Sequence, residues 1–212
     1  MNTPSISNTS TGNKRSRHSN TSIKITTEIF IKNKIPKEIF YKSKLKFETY
    51  DEYLKLDIKD NLKQKEWIYN IIDHKAEQES IIFEDDNIII IPDWKWNRNI
   101  RELHILGIYK DKRLRSIRDL DSSHIKMLKE SIQIGCEVIS KHYDFKLDNI
   151  LTFFHYHPST WQLHVHFMNV SDKKTRSATL PRAHSSSLVI QNLELIDDYY
   201  KKVNLEVLDY KN

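Results

Sequence analysis

An antiparallel α+β layer fold is what this 212-residue sequence predicts. Strand-length apolar runs occur in neighbouring pairs joined by short polar turns. Two longer stretches carry apolar residues at helical spacing. Strands and helices also fail to alternate in the strict order that a doubly wound parallel sheet requires.

The elements follow in chain order. Leu62, Ile68, Ile71, Ile72 and Ala76 fall at helical spacing, predicting an amphipathic helix over 61–79. "IIF" and "NIIII" read as two strands joined by the acidic turn "EDD", and "ELHILGIY" (102–109) as a third. "DSSHIKMLKESIQIGCEVISKHY" starts with Asp and Ser and continues with Ile125, Leu128, Ile132, Gly135 and Ile139. That spacing predicts a long helix over 121–142. "NILTFFHYH" and "WQLHVHFMNV" are strands separated by "PST", and a helix near 184–197 and the strand "VNLEVLDY" complete the pattern. Residues 1–22 are rich in Ser, Thr and Asn and read as a disordered basic tail. Residues 23–60 read as a short extended piece followed by irregular structure, and 61–212 as the main domain.

Composition excludes several function classes. A hydrophobic content of 38% is enough for a real core. One cysteine, Cys136, rules out a disulfide framework and a Cys-rich zinc module, and suits a reducing compartment. Three scattered glycines cannot build a phosphate loop or a dinucleotide fingerprint. The longest apolar run, at 88–91, is far too short to span a membrane, and no basic-then-apolar signal opens the chain. Of the net charge of +5, Lys14, Arg15 and Arg17 supply about three, so the remainder suits a small anionic ligand as well as a duplex. "KRSRH" (14–18) reads as a solvated tail, with a nuclear-import signal as the alternative, so the expected location is the cytoplasm or, on that alternative, also the nucleus.

The chemistry concentrates in "FFHYHPSTWQLHVHF" (153–167), which holds four of the ten histidines. On a strand, Gln162, His164 and His166 share one face while Leu163, Val165 and Phe167 share the other. His155 and His157 share a face on the neighbouring strand. Three readings stay open at this point: solvated histidines, a metal site, or a strand histidine that attacks phosphorus.

"QLHVHF" resembles the motif of the histidine-triad superfamily, in which histidines alternate with apolar residues and the central one is the nucleophile. The longer stretch resembles the scavenger mRNA-decapping branch of that superfamily. "WIYNIIDHKAEQESIIFEDDN", "IIIPDWKWN", "LRSIRDLDSSHIKMLKE" and "PRAHSSSLVIQNL" are similar to it in the same order, from about residue 44 onward. The resemblance implies a histidine-triad-like antiparallel sheet with a long packed helix. It implies a hydrolase that cleaves the triphosphate bridge of 7-methylguanosine caps on short RNA fragments and releases 7-methylguanosine monophosphate. No metal or cofactor is implied, and the expected assembly is a homodimer.

By the same resemblance His164 is the nucleophile, with His166 contacting the phosphates alongside His155 and Ser159. Lys95 and Arg182 are basic contacts, and Trp67, Glu77, Asp93 and the backbone around Trp94 hold the base. Without the resemblance, Trp67 reads as a core residue of its helix, Glu77 as a solvated helix charge and Lys95 as a surface lysine. Three departures stand out. Gln162 replaces the first histidine of the triad, which implies slowed or pH-shifted activity. Thr160 and His104 stand where the family usually has tyrosines. Residues 23–60 are at most a remnant of the family's exchanged N-terminal lid domain, which leaves lid closure in doubt and room for longer capped RNA. The alternatives are a catalytically impaired cap-binding or regulatory protein, and a hydrolase of other nucleotides.

Overall fold

The computed structural model describes residues 43–56, 62–172 and 178–210, within a compact unit that runs from Tyr41 to Asn212. The expectations for 1–22 and for 23–42 lie outside the described residues. Six strands form one antiparallel sheet: β2 (Phe83–Glu84), β3 (Ile88–Pro92), β4 (His104–Tyr109), β5 (Ile150–His155), β6 (His164–Asn169) and β7 (Ala183–Ser185). Their spatial order is β2-β3-β4-β6-β5-β7. A separate two-stranded ribbon pairs β1 (Ser43–Glu48) with β8 (Leu205–Tyr210). The helices are α1 (Tyr50–Leu54), α2 (Leu62–Ile72), α3 (Ile125–Tyr143), α4 (Ser186–Leu195) and α5 (Tyr199–Lys202).

The unbroken "IIII" run is explained by layers on both faces of the sheet. Ile88 and Ile90 join the larger core with Ile105, Val165, Phe167 and, from α3, Leu128 and Ile139. Ile89 and Ile91 point the other way and meet Ile68, Ile71 and Ile72 of α2, together with Leu106 and Ile108. All four isoleucines are essentially inaccessible, and each contributes about 1.5–3 kcal/mol by leaving water. Strand register then carries the α2 face across the sheet. His164 lies opposite Ile108, His166 opposite Leu106, and Phe153 opposite His166. The histidines therefore occupy the α2 face beyond the β3–β4 patch that α2 covers.

Helix α3 sits close to the sheet because glycine permits it. A Cβ on Gly135 would lie 2.4 Å from Cζ of Phe167, and one on Gly107 would lie 2.8 Å from Val165 and Ile88 side-chain carbons. Phe167 is fully buried between them. Replacing Gly135 by alanine gains up to about 1 kcal/mol of helix propensity. The overpacking it forces costs about 1–3 kcal/mol. Urea unfolding should show a net loss of stability, with a lower midpoint at an unchanged slope.

Several boundaries differ from the sequence expectation. The 61–79 helix stops at Ile72, where the backbone amides of Lys75 and Ala76 fold back onto the carbonyl of Asn70. The expected 184–197 helix begins instead as β7, because Ala183–Ser185 pair with Phe153–His155 along the sheet edge, and α4 starts at Ser186. Residues 43–56, read in the sequence as part of an irregular segment, supply β1 and α1. Thr49 caps α1 through a reciprocal pair of bonds with Glu52.

One buried cation ties the ribbon to the rest. Arg118, fully inaccessible, donates through Nη1 to the carbonyls of Tyr200 (2.8 Å) and Val203 (2.7 Å) and through Nη2 to that of Glu48 (2.6 Å). Its Nε donates to the Tyr156 hydroxyl at 3.3 Å. The Glu48 carboxylate, equally buried, lies 3.7 Å from Nη2, accepts from Tyr156 and pairs with His157 Nε2 at 2.7 Å. Burial pushes the Glu48 carboxyl up. The bonds from His157 and Tyr156, with the charges of His157 and Arg118, outweigh that and hold it below its ordinary value. His157, which the sequence left without a role, thus links the 156–160 loop to the ribbon.

Candidate active site

A cavity of about 710 Å³ opens on the α2 face. Helix α2 contributes Trp67, the turn after it Glu77, and the turn after β3 Asp93, Trp94 and Lys95; Ser159, Thr160, His164 and His166 come from the β5–β6 hairpin. Of the residues singled out from the sequence, Trp67, Glu77, Asp93, Lys95, Ser159, His164 and His166 meet here. Glu77 is not on a helix: the early end of α2 leaves it in a left-handed turn (φ 56°, ψ 22°), fastened by its carbonyl accepting from the Ser80 amide. A non-glycine residue held there is worth a functional explanation. Asp93 is buried, with one carboxylate oxygen accepting from the Lys95 amide at 2.8 Å. Trp94 is largely exposed, with Lys95 Nζ 5.1 Å above its ring.

His164 is oriented by the backbone. Its Nδ1 lies 2.7 Å from the carbonyl oxygen of Gln162, an atom that can only accept, so Nδ1 carries the proton and Nε2 keeps its lone pair. Burial lowers its pKa, against the opposing pull of that carbonyl and of Asp93, so the ring is neutral near pH 7. His166 is held well below the ordinary value, first by burial and then by the neighbouring His164, His155, His104 and Arg182. Its Nε2 is buried with no protein partner. The cavity therefore combines a neutral imidazole with a lone pair at Nε2, a second imidazole, one lysine and two carboxylates.

Three of the sequence's candidates do not line it. His155 is buried behind His166, with ring centroids 4.2 Å apart. Arg182 donates from Nε to the carbonyl of His157 at 3.3 Å, and its charge still reaches both His164 and His166. The Gln162 side chain points away: its Nε2 donates to the carbonyls of Tyr109 (2.7 Å) and Asp111 (2.9 Å). The amide thus braces the end of β4, while the backbone carbonyl of the same residue aligns His164. Leu106 also lines the cavity; its strand position alone carried no signal of that role. Among the described residues, no group of three or more His, Cys, Asp or Glu side chains is placed to hold a metal ion, and no helix is long and apolar enough to cross a membrane.

A buried histidine pair on the open part of one sheet face, with a long helix behind the other, places the protein in the histidine-triad class of fold. Residues 66–179, more than half of the chain, match the family described as scavenger mRNA decapping enzyme C-term binding, and the chain belongs to that family. It is 36% identical over 166 residues to the m7GpppX diphosphatase of Rattus norvegicus, covering 74% of this chain and 49% of that one. The m7GpppX diphosphatase of Ascaris suum is 36% identical over 166 residues, 74% of this chain and 55% of that one. The chain thus spans about half the length of the curated relatives it matches. Among solved structures, the aprataxin ortholog Hnt3 from Schizosaccharomyces pombe is similar at 18% identity and a TM-score of 0.43, over 58% of this chain and 71% of that one.

Proposed function

We propose that this protein hydrolyses the triphosphate bridge of 7-methylguanosine cap dinucleotides and capped RNA fragments. The observation that carries the reading is the Gln162 carbonyl bond to His164 Nδ1, which leaves a neutral nucleophile in a cavity that also holds Trp67, Glu77 and Asp93. A 7-methylguanine ring is cationic. Stacking on the Trp67 indole gains a cation–π contribution of roughly 1–2 kcal/mol. The carboxylates of Glu77 and Asp93 accept charge-assisted bonds from its N–H edge, and Lys95 faces the phosphates. His164 Nε2 bonds to the phosphorus that carries the methylated nucleoside as the P–O bond to the remaining bridge breaks, releasing a diphosphate-ended fragment. Water then adds to the same phosphorus while the P–N bond breaks. The products are 7-methylguanosine monophosphate, neutral His164 and a proton to solvent. His166 Nε2–H donates to a phosphate oxygen throughout.

A homodimer in the cytoplasm, with no membrane association, completes the proposal. The exposed Leu188 and Leu195 of α4 offer apolar surface to a second copy, and light scattering reads the assembly state. Activity is tested with labelled methylated and unmethylated cap dinucleotides and with capped RNA. Methylated substrate should yield 7-methylguanosine monophosphate. Trp67→Ala should raise KM about 5–30-fold, the equivalent of about 1–2 kcal/mol of lost stacking. Retention on a methylated-guanine resin without turnover would make the protein a cap binder instead. Equal turnover of unmethylated dinucleoside polyphosphates would make it a hydrolase of other nucleotides.

A further inference from the structure

We infer that His104, acting with Asp93, is a positioning residue that fixes His166 as the tautomer carrying its proton on Nε2. The inference rests on the reading of His166 as a phosphate contact. His104 Nε2 lies 3.0 Å from His166 Nδ1 and 3.5 Å from a carboxylate oxygen of Asp93. Two neutral imidazoles facing each other nitrogen to nitrogen share one proton, and the surroundings decide its owner.

If the proton sat on His166 Nδ1, His104 would turn a lone pair toward the Asp93 carboxylate. His166 would then present a second lone pair at Nε2, toward the anionic bridge of the substrate. Both contacts would be repulsive. If the proton sits on His104 Nε2, it is donated toward His166 Nδ1 and Asp93 together. His166 keeps its N–H at Nε2, the buried atom with no protein partner on a side chain lining the cavity. The Asp93 carboxylate thus selects the donor state of a histidine it does not touch. The groups around His104 keep the pair neutral. Burial acts first to lower its pKa, Lys95 adds to that effect, and Asp93 and Asp172 oppose it. The same carboxylate that faces the cationic base therefore also arms the phosphate contact.

The experiment uses the full chain and its His104→Phe and His104→Gln variants. Long-range proton–nitrogen NMR at pH 7.5 reports the tautomer of each imidazole. Wild type should show His166 protonated at Nε2. His104→Gln, whose amide nitrogen takes the place of Nε2, should keep that state, and His104→Phe should lose it. Calorimetric titration supplies a second readout. His104→Phe should weaken 7-methylguanosine diphosphate about 10–100-fold, as expected for one lost bond to a charged group, with 7-methylguanosine itself unaffected. Finding His166 protonated at Nδ1 in wild type, or an unchanged tautomer in His104→Phe, overturns the inference. Because the NMR needs no ligand, wild type that binds neither nucleotide would sink the cap-hydrolysis reading and leave the tautomer assignment to be decided by the spectra alone.

Discussion

Replacing His164 by asparagine should abolish cap hydrolysis, with at least about a 10³-fold fall in kcat, or about 4 kcal/mol of lost transition-state stabilisation. Asparagine can still donate one bond toward the Gln162 carbonyl, so thermal unfolding should stay close to wild type. Its amide offers no lone pair that can bond to phosphorus. Binding of 7-methylguanosine diphosphate should survive, because Trp67, Glu77, Asp93 and Lys95 are untouched. The pH profile of the wild type follows from the same ring. On the proposed chemistry only neutral His164 attacks, and burial holds its pKa below the ordinary histidine value. The acid limb should therefore lie below the range of an ordinary histidine, where the ring takes up a proton. A rate-limiting acid limb at or above pH 7 would contradict that assignment. Residual turnover in His164→Asn equal to wild type would remove His164 from the chemistry.

The structure also changes what Gln162 implies. The sequence makes this position a site of lost chemistry, because a histidine of the triad is missing there. In the fold the side chain lies outside the cavity, holding the carbonyls of Tyr109 and Asp111, and the orienting atom is its main-chain oxygen, which any residue supplies. The alternation of the histidine strand and the helical spacing of α3 were legible, because each is a local period imposed by one neighbouring layer. The "IIII" run was legible as a strand, though not that it is covered on both faces. That Trp67, Glu77 and Asp93 share one cavity was legible only through resemblance. Trp67, Glu77 and Asp93 come from three elements, and no pattern in the chain announces that they converge. The end of α2 was missed because the Asn70 carbonyl chain reversal is a matter of backbone hydrogen bonds, not of composition. Strand β8 of the ribbon was legible, but its partner β1 was missed for a different reason. Leu45 and Phe47 of β1 are largely exposed, as are Lys44 and Lys46, while Glu48 is fully buried, so this strand turns no apolar face inward. Its partners Arg118 and His157 lie far along the chain, and charged residues in a sequence read as surface until a fold encloses them.

That enclosed charge makes Arg118 the position with the largest expected effect on stability. Arg118→Ala should lower the unfolding free energy by about 3–5 kcal/mol in urea titration, the range for removing one partner of a buried ion pair. The loss has two parts. The carbonyls of Glu48, Tyr200 and Val203 lose their shared donor, and a buried orphaned acceptor costs about 1–3 kcal/mol. The Glu48 carboxylate keeps Tyr156 and His157 but loses its nearest permanent cation. Lysine cannot restore the arrangement, since one ammonium cannot reach acceptors on β1, α5 and the following turn with the planar fork that the guanidinium provides. Glu48→Gln separates the two parts. Alone it should be destabilising, because the amide nitrogen replaces one of the two oxygens, Oε1 and Oε2, that separately face Tyr156 and His157. In the Arg118→Ala background it should cost much less, or even restore stability, because it removes the stranded negative charge. A double-mutant cycle would therefore give a coupling well above the few tenths of a kcal/mol seen between independent sites. Strict additivity would mean that Arg118 acts only through the three carbonyls and that its pairing with Glu48 contributes nothing.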